Sequence, residues 1–169
     1  MPIEFPIGLQ FFCRDWQIAW QSAGRTPEPW LGPDILAVTE DDKYGDVKRE
    51  LGWAGPMDVI YNGARSFVAA ERAPQRWLDI GCGEGYYTAQ IADALPAADG
   101  YALDISREAV KRACKRNPQL TWLIASMARI PLADASCQFL ASVFSPLDWE
   151  EAKRLLSPGG GLMKVGPTS

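Results

Sequence analysis

Histidine is absent from this 169-residue chain. That removes the commonest general base and the commonest zinc ligand, so histidine-based catalytic triads and histidine-containing metal sites are excluded. Cysteine is sparse: Cys13, Cys82, Cys114 and Cys137 are scattered and form no C-x-x-C pair. No disulfide framework and no metal site is expected, and a reducing cytoplasm is the simpler setting. No apolar run reaches the roughly eighteen residues of a membrane span, and no basic segment precedes an apolar one at the start, so neither a span nor a secretory signal is expected. Positive charge is not in excess either. Seventeen Lys and Arg stand against 21 Asp and Glu, for a net charge of −4 and a pI near 4.9. There is no global electrostatic pull toward nucleic acid.

Apolar residues make up 47% of the chain, enough for one domain with a core. The pattern changes near residue 56. Residues 1–55 form an extension rich in Trp, Pro and Gly, with short strands expected at Ile3–Phe12 and Asp34–Val38 and an extended loop over 26–33. Its role is open: Trp16, Trp20, Trp30 and Trp53 suit packing on the main domain, or a lid that stacks on a flat substrate. In residues 56–169 the spacing of Met57, Ile60, Tyr61, Ala64, Phe67 and Val68 predicts a helix over 56–72, broken by Pro74. Strands follow at 76–80, 100–103, 121–124, 139–144 and 162–165, with helices at 86–95, 107–116 and 149–156 between them. Ser106 is placed to cap the second of these helices. Alternating strand and helix predicts an α/β, mostly parallel sheet with helices on both faces; the expected architecture is Rossmann-like and doubly wound, ordered 3-2-1-4-5 by strand from residue 76 onward.

The run Trp77-Leu-Asp-Ile-Gly-Cys-Gly-Glu-Gly-Tyr-Tyr-Thr88 is the most informative stretch. A short strand ends in a turn with Gly81, Gly83 and Gly85 around Cys82, and then a helix opens. Such a turn lets a nucleotide-like ligand lie against bare backbone. Asp79 precedes the first glycine by two positions. Its charge would repel a pyrophosphate and attract the cationic methionine end of S-adenosylmethionine. The G-x-G-x-G spacing also differs from the G-x-G-x-x-G of dinucleotide sites. Asp104, at the end of the next strand, is in position to accept from a ribose diol, or to serve as a dipole partner of the following helix. Alone it would suit NAD equally. Adenine is expected beside Ser126, with Met127 or Ile105 against the ring. The turn Phe144–Leu147 lies at the switch point where an acceptor would enter, and is otherwise a plain loop. The basic helix carrying Arg107, Lys111, Arg112, Lys115 and Arg116 reads as a solvated face or as a phosphate contact.

Taken with Ala92-Asp93-Ala94-Leu95-Pro96, Leu103-Asp104-Ile105-Ser106, Ala125-Ser126, Arg129-Ile130-Pro131-Leu132 and Leu156-Ser157-Pro158-Gly159-Gly160, this run resembles the class I S-adenosylmethionine-dependent methyltransferases. Within that class it is most similar to the bacterial large-subunit ribosomal RNA guanine-N1 methyltransferases, over residues 76–168. The resemblance implies that Asp79, Gly81, Gly83 and Gly85 hold the methionine portion and Asp104 the ribose. It also implies that Ser126 and Met127 lie beside adenine, and that Phe144, Ser145 and Pro146 line the acceptor side. The implied activity is methyl transfer by direct displacement, to RNA guanine or a small-molecule acceptor. The alternative is a shortened, non-catalytic cofactor-binding domain acting through a partner.

The resemblance departs in three places. Residues 1–55 hold only Cys13 where the family has a four-cysteine zinc module, and Gln138 stands where an Asp is usual. Family members also continue beyond Gly166–Pro167 with two further strands. A sheet ending at 162–165 would bare an edge, so the N-terminal segment, a second copy in a homodimer, or a partner chain is expected to cover it.

Overall fold

The computed structural model describes residues 7–13, 28–29, 34–38, 60–61, 63–65 and 74–167. The parallel part of the sheet is built from β4 (Arg76–Ile80), β5 (Asp99–Asp104), β6 (Thr121–Ile124), β7 (Cys137–Val143) and β8 (Leu156–Pro167). The helices α1 (Tyr86–Ala94), α2 (Arg107–Arg116) and α3 (Trp149–Leu155) connect them. Their spatial order, β8-β7-β4-β5-β6, is the 3-2-1-4-5 order expected of a doubly wound sheet. It puts the reversal of strand order between β4 and β7, at whose C-terminal ends a crevice must open.

Side chains alternate across the sheet with the two-residue period of strands. Trp77, Phe139, Ala141, Val143, Met163 and Val165 pack on one face with Ile91 and Ala94 of α1 and with Ile60 and Ala64. Leu78, Ile80, Leu103, Leu140 and Leu162 pack on the other with Ala152 and Leu155 of α3. Burying each large side chain contributes about 1.5–3 kcal/mol. Gly100 is required for this packing, because a Cβ there would run into the Trp77 ring.

Local signals set most boundaries. Ser106 caps α2 by accepting from the Ala109 N–H at 3.3 Å, and Asp148 caps α3 through the Glu151 N–H at 3.0 Å. The helix expected over 56–72 is present at Ile60, Tyr61 and 63–65; its other positions lie outside the described residues. The last strand is longer than its expected 162–165, running over Leu156–Pro167. The reason is pairing that local periodicity does not reveal: Leu156 at the start pairs with Cys137 of β7, and residues 161–167 gain a second neighbour. β1 (Ile7–Cys13) runs antiparallel along β8, from Ile7 opposite Pro167 to Cys13 opposite Gly161. Beyond β1 lie β3 (Asp34–Val38) and then the two-residue β2 (Glu28–Pro29), both in antiparallel pairs. The N-terminal segment thus supplies the backbone partner that the β8 edge needs. The four tryptophans of residues 1–55 lie outside the described residues, and so does any lid they would form.

Candidate cofactor and acceptor site

The glycine turn is anchored from both sides. The N–H groups of Gly81 and Cys82 both donate to the Leu103 carbonyl at 2.9 Å, which ties the end of β4 to β5. The Gly83 N–H donates to Asp104 Oδ2 at 2.9 Å. All three glycines have positive φ, between 55° and 83°, where a side chain is strained. Their surroundings divide their roles. A Cβ on Gly81 would meet Ser145 Oγ at 2.5 Å, and one on Gly85 would meet the Trp122 ring at 2.9 Å and Ala113 at 3.0 Å. Only at Gly83 would it point into open space. The bare backbone expected of three glycines is therefore concentrated at one, while the other two permit packing within the chain. Cys82 contributes backbone alone: its thiol is buried and its pKa is pushed up by burial and by the nearby charges of Asp79 and Asp104.

Asp79 is 1% exposed. Its Oδ2 accepts from the Thr88 hydroxyl at 2.6 Å, and its Oδ1 has no partner among the described residues. Burial raises its pKa to about 6; the Thr88 hydrogen bond opposes the rise and the Asp104 charge adds to it. The carboxylate is still mostly ionised at neutral pH. A buried, charged oxygen without a donor is costly, and a cationic N–H group would satisfy it. With Asp104 beside it, the local field favours a cation over a phosphate. The α-ammonium of S-adenosylmethionine has the right charge and donors, so the residues present fit that cofactor.

Asp104 supports the turn as well as ending β5. Its Oδ1 accepts from the Ser106 N–H at 2.8 Å, and its Oδ2 already holds Gly83. Each oxygen retains a lone pair for a ribose hydroxyl. Ile105 is 75% exposed, and Ile124, in register with Asp104, is 54% exposed. Both are exposed aliphatic side chains at the C-terminal ends of β5 and β6. Ile124 was missed by sequence reading because nothing in a four-residue strand marks its register. Ser126 is exposed and its hydroxyl accepts from the Ala128 N–H, while Met127 is partly buried against the core cluster.

On the acceptor side, Phe144 adopts a left-handed backbone with φ 50°. Its N–H donates to the Val165 carbonyl at 2.8 Å, and its half-exposed ring lies 5.6 Å from that of Tyr87. Ser145 turns inward and donates to the Ile80 carbonyl at 2.8 Å, so it forms the back of the wall and leaves Phe144 and Pro146 on the outside. Sequence reading also missed Lys164 of β8, whose Nζ donates to the Ser145 carbonyl at 2.6 Å and to Ser142 Oγ at 3.2 Å. Burial lowers the pKa of this half-buried amine.

Two other sequence features have structural partners. Gln138 Oε1 accepts from the N–H groups of Gln75 and Arg76, at 3.0 and 2.8 Å, and so secures the start of β4. Three of the five basic residues of the helix α2 have partners. Arg112 pairs with Glu84 of the glycine turn at 2.6 Å, Arg116 donates to the Glu84 carbonyl and covers the Tyr86 ring, and Lys111 pairs with Glu108. Among the described residues no cluster of His, Cys, Asp or Glu could hold a metal ion, and no helix is long and apolar enough to cross a membrane.

Residues 78–160 match the methyltransferase domain family. With the 3-2-1-4-5 sheet and the acidic, glycine-rich turn, they form the core of a class I S-adenosylmethionine-dependent methyltransferase, and S-adenosylmethionine is the cofactor of this domain. More narrowly, the core is similar to the 23S rRNA guanine-N1 methyltransferases. A Micromonospora griseorubida protein provisionally named as one is 39% identical over 97 residues, covering 57% of this chain and 33% of that protein. The 23S rRNA (guanine(748)-N(1))-methyltransferase of Streptomyces fradiae is 32% identical over 119 residues, covering 70% of this chain and 42% of the relative. The chain thus spans less than half the length of either relative. Among solved structures, the plantazolicin methyltransferase BpumL, in complex with a triazolic analog and SAH, shares the fold. Its TM-score is 0.50 at 22% identity, over 69% of this chain and 48% of that one.

Proposed function

We propose that this chain catalyses direct transfer of the sulfonium methyl of S-adenosylmethionine, and that the acceptor is a guanine of ribosomal RNA. The observation that carries the reading is the buried Asp79 carboxylate, with one oxygen unpartnered, next to the one glycine of the turn that faces open space. In this assignment Asp79 and the backbone of Gly81, Cys82, Gly83 and Gly85 hold the methionine portion. Asp104 holds the ribose, and Ile105, Ser126 and Met127 border adenine. Phe144, Ser145 and Pro146 present the acceptor. The guanine acceptor is supported by the names of the two curated relatives.

When bound, S-adenosylmethionine supplies a methyl group already activated by its positive sulfur. The chain's own residues have to orient the two reactants in line and exclude water, and these effects alone can supply about 7–11 kcal/mol of barrier reduction. Asp79 fixes the ammonium end, and the Phe144–Ser145 wall fixes the approach of the nucleophile. No residue of the wall is a strong base, so the guanine N1 proton leaves to solvent in this scheme.

Calorimetric titration with S-adenosylmethionine, followed by tritiated-methyl transfer to ribosomal RNA and to metabolite pools, tests the reading. Micromolar binding with label in guanine N1 is expected. Label in a small molecule and none in RNA refutes the acceptor. Binding without transfer to any acceptor favours a non-catalytic domain, and absence of binding refutes the whole assignment.

A further inference from the structure

We infer that Lys164 is a positioning residue for methyl transfer, clamping the acceptor wall Phe144–Ser145 against the glycine turn. The inference rests on the acceptor-side reading above. Lys164 of β8 is in register with Ser142 of β7, and its ammonium donates to the Ser145 carbonyl at 2.6 Å and to Ser142 Oγ at 3.2 Å. Ser142 Oγ lies 3.1 Å from Ser145 Oγ, which in turn donates to the Ile80 carbonyl at 2.8 Å. The same Ser145 side chain occupies the space next to Gly81 that a Cβ would need. A continuous path of polar contacts thus runs from β8 through the acceptor wall to the turn that cradles the donor.

Two further observations favour a working role over simple packing. Phe144 holds a left-handed backbone at φ 50°, a conformation that is strained for a non-glycine residue and persists only when its neighbours hold it. The Val165 carbonyl holds its N–H, and Lys164 holds the carbonyl of the next residue. In addition, Lys164 lies on a strand whose neighbouring Leu162, Met163 and Val165 are buried and apolar. An aliphatic residue would pack there without the desolvation that depresses the amine's pKa. What distinguishes lysine is its set of three donors, two of which are engaged by neutral oxygens of the wall. The wall in turn sets the separation of acceptor and donor, where a displacement of about 1 Å costs about a hundredfold in rate.

The test compares the full chain with Lys164→Met, Lys164→Gln and Lys164→Arg. Calorimetry reads S-adenosylmethionine affinity, hydrogen exchange reads the amides of residues 144–148, and tritiated-methyl transfer to ribosomal RNA reads kcat and acceptor KM. In Lys164→Met, donor affinity is expected to stay within about threefold while exchange over 144–148 quickens and kcat falls by about thirty- to a hundredfold. Lys164→Arg, which keeps charge and donors, restores most of the rate, and Lys164→Gln restores part of it. Unchanged exchange or unchanged kcat overturns the inference. So does a proportionate loss of donor affinity, melting temperature and kcat that arginine fails to rescue, because that pattern marks a general contribution to folding. A wild-type chain that binds the donor yet methylates no acceptor refutes the acceptor reading and this role together. Wild-type transfer that is undiminished in Lys164→Met refutes this role alone.

Discussion

Replacing Asp79 with asparagine should make the ligand-free protein more stable while it cripples cofactor binding. The buried carboxylate has its pKa raised from 3.8 to about 6. At about 1.4 kcal/mol per pKa unit, the ionised group destabilises the folded state by about 3 kcal/mol at neutral pH. A raised carboxylate pKa means that the folded state binds the proton more tightly. The penalty is therefore absent below pH 3.8, grows as pH rises, and is complete above about 6. Asparagine has the same shape, can still accept from Thr88, and carries no charge. At pH 7.5 the Asp79→Asn melting temperature should rise by up to about 6–12 °C for a chain of this size, and the gain should shrink toward zero near pH 4. Losing the anionic partner of a buried ammonium costs about 2–4 kcal/mol, so S-adenosylmethionine binding should weaken about thirty- to a thousandfold. Differential scanning calorimetry at both pH values, with and without the cofactor, reads both effects. A ligand-free variant less stable than wild type at pH 7.5, or one with undiminished affinity, would refute the reasoning.

The glycines of the turn should separate cleanly. Gly83→Ala adds a Cβ into open space and should cost only about 1–2 kcal/mol of stability, from its positive φ, while weakening cofactor binding. Gly85→Ala carries the same backbone strain and also presses on Trp122 and Ala113, so its denaturation midpoint should fall further, by an added 1–3 kcal/mol or so; equal losses in the two variants would contradict this division. Gln138→Leu removes the acceptor for two backbone N–H groups and should cost about 1–3 kcal/mol in urea unfolding with donor affinity unchanged. A loss of affinity in that variant would show that position 138 acts on the site and not only on the strand.

The chemistry of the site puts unusual weight on charge placed away from water. Asp79 and Asp104 end neighbouring strands of a parallel pair, and the turn between them offers few free N–H groups, because Gly81, Cys82 and Gly83 have all given theirs to β5 residues. A dinucleotide site needs those amides for its pyrophosphate. Here they are spent on bracing the turn, and the anionic field that remains suits a cationic donor. Arg112 and Arg116 of α2 serve the same bracing through Glu84, in exposed contacts that solvent screens.

Much of this protein follows from local sequence. Arg76–Ile80, Arg107–Arg116 and Thr121–Ile124 form the elements that their periodicity and capping residues predict, and the strand–helix alternation implies the parallel pairing of the sheet. Asp79 and the glycine turn are equally legible, because strand, turn and helix start lie within a dozen consecutive residues. Tertiary structure alone decided the rest. Residues 161–167 of β8 are held by a backbone ladder from β1, some 150 residues earlier in the chain, and Leu156 at its start pairs with Cys137 of β7. Gly81 needs its hydrogen because Ser145, 64 positions later, fills the space beside it, and Gly85 needs its own because of Trp122. Lys164 looks like any strand lysine until β7 brings Ser142 and Ser145 to its amine. Periodicity and capping act over a few residues and can be read along the chain. Contacts across the sheet depend on register and twist, which exist only once the strands have assembled.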